Sequence, residues 1–201
     1  MIKHNMANKK GSVLITIIVV VAVFLLGVFY TVMSYNRFVS LTADVDAKWS
    51  EVENQYQRQA DLIPNLVSVV SSSVKVETTF VKDVVAARNS WQSAKTSLEK
   101  DSAGVAMNNG VAAFVNAVAE SYPVLAANKQ YVALTDELAG TQNRITVARG
   151  RYIQSIQDYN IATKKFPSKI LAGMFGFSQK EYYKADSSSM GTPKLGTGQL
   201  P

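Results

Sequence analysis

The chain has 201 residues, a net charge of +6, one histidine and no cysteine. This composition excludes disulfides, cysteine-ligated zinc and thiol chemistry, and His4 alone supplies neither a Ser-His-Asp triad nor a histidine-rich zinc site. Glu-x-x-His iron motifs and a lysine-bearing phosphate loop are also missing from the sequence. We therefore expect a protein that is not an enzyme, with no catalytic residue, no metal site and no cofactor.

The charge also argues against a nucleic-acid partner. After Met33, 18 Lys and Arg against 15 Asp and Glu leave only +3, and the longest basic run is the pair Lys164 and Lys165. A nucleic-acid interface needs a clustered basic face, which this scattered pattern does not provide.

The first predicted element is the uncharged segment Val13 to Met33, which follows a basic flank at residues 1–12. As a helix, its 21 residues span about 31 Å, close to the roughly 30 Å hydrocarbon core of a bilayer. A secretory signal peptide also starts basic, but its apolar core is usually about 7 to 15 residues long. The segment predicts a retained transmembrane anchor at residues 13–33 in contact with the lipid bilayer, with cleavage near Ser34 as the alternative.

Orientation follows from the basic residues on either side of the anchor. Lys3, Lys9 and Lys10 precede it, whereas Arg37 and Lys48 follow it among acidic residues. The positive-inside rule then predicts a cytoplasmic N-terminus and a chain that continues outside the cytoplasm.

Apolar residues at helical spacing follow the anchor. Two columns at seven-residue steps predict a long first bundle helix. They are Thr42, Trp49, Tyr56, Ile63, Val70, and Val45, Val52, Gln59, Leu66. No proline or glycine separates this helix from the anchor, so we expect the two to be continuous. Pro64 frees the carbonyl of Ala60, and because the columns stay in phase we expect a kink, sustained by neighbouring helices or by polar side chains, rather than an end.

Two shorter helices are predicted next, from about Val74 to Glu99 and from about Ala103 to Glu120. The predicted apolar face of the second is Val105, Ala112, Val115 and Ala119. Serine, aspartate, glycine and proline favour caps and turns. The predicted breaks are Ser71 to Ser73, Asp101 to Gly104, and Tyr122 with Pro123.

A last long helix carries two more columns, large residues in one and mostly small residues in the other. They are Tyr131, Leu138, Ile145, Tyr152, Tyr159, Phe166, and Leu134, Thr141, Ala148, Ser155, Ala162. Small residues let a partner helix with bulky side chains approach, so the two long helices should lie against each other. The predicted fold is all-α, a single N-terminal transmembrane helix followed by an antiparallel four-helix bundle with long first and last helices.

The ordered polar and aromatic residues resemble the LemA family of bacterial membrane proteins. The opening of the pattern is Tyr35, Asn36, Val45, Asp46, Trp49 and Asp61 to Val67. The rest is Tyr122, Pro123, Ala127, Asn128, Glu137, Leu138, Thr141, Asn143, Arg144, Ile145, Ala148, Arg149, Tyr152, Tyr159, Asn160, Phe166, Pro167, Phe175, Gly176 and Phe177. The resemblance implies an anchored helical bundle, here residues 35–184, with no agreed molecular activity. Gln142 and Ile153 depart from the family pattern, which has glutamate and asparagine there.

Charged residues border the predicted seam between the long helices. The candidate structural polar network is Arg58, Asp61, Arg88, Glu137, Arg144 and Arg149. Half-buried charges at helix seams are retained when paired, so we expect Asp61 and Glu137 to pair with Arg88, Arg144 or Arg149. The alternative is a polar ligand pocket near Pro64 and Asn65.

The C-terminal region divides in two. An apolar set is expected to fold back and cap one end of the bundle, and docking of this set on a bilayer or a partner is the alternative. Its members are Phe166, Pro167, Ile170, Leu171, Met174, Phe175 and Phe177. Residues 185–201 are rich in serine, glycine, threonine and proline, which predicts a flexible tail.

The function that these features predict is a membrane-tethered interaction or scaffold protein of the bacterial cell envelope, single-pass in the inner membrane. We expect a protein partner in the membrane or envelope, with Asn65, Phe175 and Phe177 as the candidate partner surface; the sequence does not predict an oligomeric state. The alternative is a binding module for a small polar or lipidic ligand at the Pro64 kink.

Overall fold

The computed structural model describes the backbone of residues 4–73 and 78–182, and the side chains of residues 12–73 and 79–182. All secondary structure in these ranges is helical, which confirms the all-α prediction. The helices are α1 (His4–Ser73), α2 (Thr78–Ser93), α3 (Ser97–Ser121), α4 (Pro123–Ala126), α5 (Lys129–Lys164) and α6 (Ser168–Met174). The predicted tail at residues 185–201 lies outside the described residues, as do the lysine side chains of the N-terminal flank.

The chain divides into two compact units. The first contains α1 up to Val45 together with Gln157–Lys180, and the second contains Asp46–Ile156. The helix α1 is unbroken from His4 to Ser73, so the predicted continuity between the anchor and the first bundle helix is confirmed.

The membrane segment belongs to the first unit. One helix in the described part of the chain is long and apolar enough to cross a bilayer, with a window of mean hydropathy 3.1 that is 0% buried. The hydroxyls of Thr16 and Thr31 donate to the carbonyls of Ser12 and Gly27, each at 2.9 Å. These internal bonds satisfy polar groups that would otherwise face hydrocarbon. The segment is consistent with a single-pass anchor.

The packed part of the first unit lies beside the end of the anchor. Phe38, Ala162 and Ala172 form its core, and Leu41, Leu171 and Phe177 pack against them. The helix α5 ends at Lys164 because a proline follows at position 167, and the residue before a proline disfavours helical geometry. Phe166, predicted as the last member of the α5 column, is therefore outside the helix and 83% exposed, so that part of the prediction is wrong.

In the second unit the predicted columns form the core. The buried column members on α1 are Val52, Tyr56, Gln59, Ile63, Leu66 and Val70, and those on α5 are Tyr131, Leu138, Thr141, Ile145, Ala148, Tyr152 and Ser155. The rings of Trp49 and Tyr152 lie 5.3 Å apart, and Arg58 contacts Glu137. Contacts that advance along α1 while retreating along α5 make this pair antiparallel, as predicted for the two long helices.

The turn between α2 and α3 corrects a predicted break. Thr96 caps α3 by accepting a hydrogen bond from the N–H of Glu99, and the Glu99 carboxylate accepts from the N–H of Thr96 and of Lys95. These backbone bonds lower the pKa of Glu99. Such a reciprocal cap starts a helix, so the predicted break at Asp101 to Gly104 is wrong and those residues are helical. The break predicted at Tyr122 with Pro123 is confirmed. Ser71 to Ser73 are helical, and the residues that follow them, including the predicted helix start at Val74, lie outside the described residues.

The buried face of α3 is also displaced from its predicted position. Residues 105, 112, 115 and 119 each stand one place after a buried residue, and one place turns the helix by about 100°. The residues buried there are Asp101, Gly104, Met107, Asn108, Val111, Phe114 and Val118. The larger side chains Met107 and Phe114 take the inside position, because they bury more apolar surface than alanines do.

Candidate functional site

A buried carboxylate lies at the centre of the second unit. Asp101 is only 5% exposed, and its Oδ2 accepts a hydrogen bond from Arg149 Nη2 at 2.8 Å. Tyr56 Oη lies 3.5 Å from the other carboxylate oxygen. Burial raises the pKa of Asp101, opposed by the charge and hydrogen bond of Arg149 and by the Tyr56 hydroxyl. The ion pair therefore joins α3 to α5 inside the packed unit.

A glycine lets α3 approach α1 beside this pair. A Cβ added to Gly104 would lie 2.5 Å from Cε1 and Cζ of Tyr56, whose side chain is fully buried. Real Cβ atoms do not approach ring carbons so closely, so any side chain at position 104 would push the ring or the helices apart. The ring of Tyr56 also packs against Trp91, at 6.3 Å between centroids.

Pro64 lies inside α1, and the carbonyl that it frees has another donor. Arg88 Nε donates to the carbonyl oxygen of Ala60 at 2.8 Å, and Arg88 Nη1 donates to Gln92 Oε1 at 3.1 Å. Because Pro64 has no N–H, Ala60 has no helical partner at that position. The guanidinium on α2 satisfies it, so a side chain from a neighbouring helix allows α1 to continue to Ser73, as expected.

The other charged residues of the predicted network have separate partners. Arg58 Nη2 meets Glu137 Oε1 at 2.7 Å, with side chains 54% and 39% exposed. Asp61 accepts from the amide of its α1 neighbour Gln57 at 2.8 Å. Arg144 donates to Thr141 Oγ1, one turn earlier on α5, at 2.9 Å. Of the six network residues the structure brings together one pair, Arg58 with Glu137, and it pairs neither Asp61 nor Glu137 with Arg88, Arg144 or Arg149.

The candidate partner surface is divided between the units. Asn65 is exposed on α1 in the second unit. Phe175 and Phe177 belong to the first unit, where with Tyr35 and Phe38 they form the juxtamembrane aromatic cluster. The ring centroid of Tyr35 lies 5.1 Å from that of Phe175 and 5.8 Å from that of Phe177. The ring centroids of Phe38 and Phe177 are 5.2 Å apart.

Hydrogen bonds fasten the segment after this cluster to α5. Tyr159 Oη donates to the carbonyl of Ser178 at 2.8 Å. Asn160 makes two bonds with the backbone of Lys180, donating to its carbonyl at 2.8 Å and accepting from its N–H at 2.9 Å. The apolar set thus folds back in part: its members Leu171 and Phe177 pack against the core of the first unit, whereas Phe166, Ile170 and Met174 are exposed.

A shallow open depression lies where α2 meets α3. Ser90, Ser93, Lys95, Leu98 and Glu99 are among the residues that line it, and Pro64 and Asn65 are not. Within residues 12–73 and 79–182, no three His, Cys, Asp or Glu side chains are grouped so that they could hold a metal ion. The buried polar group with the best-defined partners is therefore the Asp101 and Arg149 ion pair, and it lies inside the packed unit.

A sequence model of the LemA family matches residues 48–196. The chain belongs to the LemA family. With its exposed apolar helix, it is a membrane-associated helical protein of that family. Several residues of the LemA pattern have direct structural roles. Pro64 frees a carbonyl to which Arg88 donates, and Arg149 forms an ion pair with Asp101. Tyr159 and Asn160 bind the segment after α6 through hydrogen bonds.

Similar proteins include magnetosome proteins from two bacteria. Magnetosome proteins MamQ 1 and MamQ 2 of Paramagnetospirillum magneticum are each 27% identical to this chain, over 84% of it and 72% of their own length. Magnetosome protein MamQ of Magnetospirillum gryphiswaldense is 27% identical over 96% of this chain and 82% of its own length. These names give a cellular structure and state no reaction.

Sequence reasoning missed the two residues at the centre of the second unit. Asp101 and Gly104 read as turn formers, because both are common in turns and follow a polar stretch. A signal was present: Gly104, Val111 and Val118 form a seven-residue column, and Asp101 stands seven residues before Asn108. Extending the columns backwards would have placed both residues on the buried face.

Proposed function

We propose that this LemA-family protein is a membrane-tethered interaction or scaffold protein of the bacterial cell envelope, without a catalytic role. Residues 13–33 anchor it in the inner membrane after the flank 1–12. Residues 35–184 are the interacting domain, in which α1, α2, α3 and α5 form an antiparallel four-helix bundle.

One observation carries this proposal. The helix that holds the exposed apolar segment continues without a break into packed helices. The buried or half-buried charges of those helices are used for structure: Arg88 on a backbone carbonyl, Arg149 on Asp101. Side chains used in this way keep a fold rigid and do not converge on a substrate, which suits a protein that presents surfaces to partners.

Crosslinking tests the partner surface. The chain has no cysteine, so single variants Asn65→Cys and Phe175→Cys can be labelled with a photoactivatable maleimide in isolated membranes. We expect a protein adduct of reproducible mass at one or both positions. Asn116→Cys is the matched control, since Asn116 is an exposed asparagine on α3 and should give no such adduct. Adducts with lipid alone at both test positions would refute the scaffold proposal.

The orientation has its own test. Three lysines before the anchor support a cytoplasmic N-terminus and an extracytoplasmic helical domain. A membrane-impermeant maleimide should therefore label Asn65→Cys in intact spheroplasts. Labelling only after the membrane is broken would reverse the orientation.

A second candidate function is the binding of a small polar ligand beside Pro64. The observation that favours it is that both amide atoms of Gln59 and the indole nitrogen of Trp91 are buried without a hydrogen-bond partner among the described residues. Native mass spectrometry of the chain released from detergent should then show a bound small molecule that is lost in Gln59→Leu. A spectrum without such an adduct would exclude this candidate.

A further inference from the structure

The outward side of α6 carries large apolar side chains that nothing in the first unit covers. Ile170 and Met174 are four residues apart on one side of α6 and are 57% and 73% exposed. Phe166, in the turn before α6, and Phe175, just after it, are exposed as well. The opposite side of α6 is already used, because Ala172 is buried in the core of the unit. A contiguous exposed apolar surface of this kind marks a contact site.

This surface lies at the level of the anchor's end. The Phe175 ring packs on the edge of Tyr35, which is two residues past Met33 and so about 3 Å further along α1. The polar interfacial layer on each side of a bilayer is roughly 5 to 7 Å thick, which is half the difference between the total and the hydrocarbon thickness of the bilayer. If the apolar anchor spans the hydrocarbon core, Phe175 is within the interfacial layer.

The charges around α6 match a negatively charged membrane surface. The segment from Tyr159 to Lys180, both included, contains four lysines and no acidic residue. Lys164 ends α5, Lys165 follows it beside Phe166, and Lys169 is on α6; all three are exposed. Apolar side chains flanked by lysines are the composition of segments that lie in the interface of anionic bilayers.

We propose that α6 and its flanks form a second membrane contact, in which Phe166, Ile170, Met174 and Phe175 enter the interfacial layer beside the anchor while the nearby lysines meet anionic lipid headgroups. The occupant of this apolar surface is the bilayer, because the surface is continuous with the exposed apolar anchor through Tyr35. The inference rests on the anchoring that the proposed function assumes. It adds that the domain touches the membrane at a second place.

Depth-dependent fluorescence quenching tests the proposal on the full chain. Met174→Cys and Phe166→Cys, each labelled with an environment-sensitive dye, are reconstituted into vesicles of phosphatidylcholine and phosphatidylglycerol that contain lipids brominated near the headgroup. We expect bromolipid to lower the fluorescence about twofold or more, since interfacial helices bury their apolar face roughly 5 to 10 Å deep. Both side chains are largely exposed, so the labels should leave the packing of the first unit intact.

Two further label positions calibrate the measurement. Leu25→Cys, inside the anchor, should be quenched by lipids brominated deep in the acyl chain. Asp44→Cys is the matched control on α1, because it is exposed and 11 residues past Met33, or about 16 Å along the helix and beyond the interfacial layer. Its fluorescence should not change with bromolipid.

Quenching at positions 174 and 166 no greater than at position 44 would overturn the proposal. A crosslink from unlabelled Met174→Cys to a second copy of the chain, without quenching of the labelled variant, would also overturn it. Replacing phosphatidylglycerol by phosphatidylcholine, or Lys164, Lys165 and Lys169 together by glutamine, should reduce the quenching. Equal quenching in both vesicles would overturn the role of anionic headgroups. The vesicles contain no other protein, so a negative quenching result says nothing about protein partners. The crosslinking test at Asn65 and Phe175 is independent of it, and the failure of one proposal can be distinguished from the failure of the other.

Discussion

Replacing Gly104 by alanine is the sharpest test of the packing in the second unit. Alanine favours a helix interior over glycine by about 1 kcal/mol, so from the helix alone the substitution should stabilise the protein. The structure predicts the opposite sign, because the new methyl group would lie 2.5 Å from two ring carbons of Tyr56. That ring is fully buried between α1 and α3, so it has no free space into which to move.

The size of the effect follows from a comparison within the same unit. At Gly150, on α5, an added Cβ meets nothing within 4 Å, so Gly150→Ala gains the helix preference alone. The helix preference is the same in both variants, so it cancels when their free energies of unfolding are subtracted. The remaining difference is the cost of overpacking at Gly104→Ala, about 1 to 3 kcal/mol. For a chain of this length each kcal/mol changes the melting temperature by about 2 to 4 °C. Gly104→Ala should therefore melt several degrees below Gly150→Ala.

The assay is thermal unfolding of the full chain in detergent, followed by far-ultraviolet circular dichroism. Gly110→Ala is a second control, because its Cβ would make an ordinary 3.6 Å contact with Ala87 on α2. Combining Gly104→Ala with Tyr56→Leu should lower the cost of the alanine, since the two residues are in direct contact and their effects are not additive. A melting temperature for Gly104→Ala equal to or above that of Gly150→Ala would refute the close approach of the two helices.

Three other predictions concern the polar contacts. Arg88→Met should lower the free energy of unfolding by about 1 to 3 kcal/mol, because it leaves the carbonyl of Ala60 unpaired. In a Pro64→Ala background the loss should be much smaller, because the helix then supplies its own N–H to that carbonyl. Equal losses in denaturant titrations of both backgrounds would contradict this. Arg149→Met should lower the free energy of unfolding by about 3 kcal/mol, because it leaves the buried carboxylate of Asp101 without its partner. Arg58→Met, which removes an exposed ion pair, should lower it by less than about 1 kcal/mol in the same titrations. Similar losses in the two variants would show that burial does not decide the strength of these pairs. Because the pKa of Asp101 is raised, the folded state binds the carboxyl proton of Asp101 more tightly than the unfolded state does. The stabilisation that comes from protonated Asp101 is therefore fully present below about pH 3.9 and is lost as pH rises through the pKa of the folded state. Relative to Asp101→Asn, the wild type should thus lose stability with rising pH in that window, and a pH-independent difference would refute the shift.

Much of the fold could be predicted because its signals are local. A 21-residue uncharged segment needs no tertiary information to be recognised as a candidate membrane helix. The seven-residue columns on α1 and α5 extend over several turns each, and most of their members are buried as predicted. Thr42, Trp49 and Leu134 are half-buried, and Phe166 is exposed. The prediction failed at Phe166 because Pro167, three positions after the end of α5, terminates the helix before the column is complete.

The candidate site could be predicted only in its components. Arg58, Arg88 and Arg149 were recognised as residues of a helix seam, but their partners were not. Arg88 binds a backbone carbonyl, which carries no residue-specific signal in a sequence. Arg149 binds Asp101, 48 residues earlier in the chain, and the short polar stretch around Asp101 reads equally well as a turn.

The sequence by itself determined that this chain is helical with one apolar segment of transmembrane length, because hydropathy and periodicity are properties of consecutive residues. Its membership of the LemA family rests instead on the identity and order of particular residues. Tertiary structure decided the structural roles of Asp101 and Gly104 and which side chains of α6 are exposed. Whether an aspartate caps a turn or is buried in an ion pair depends on which helix lies opposite. Whether a phenylalanine or methionine near the end of a chain is packed or exposed depends on which side of a short helix the rest of the unit has already occupied.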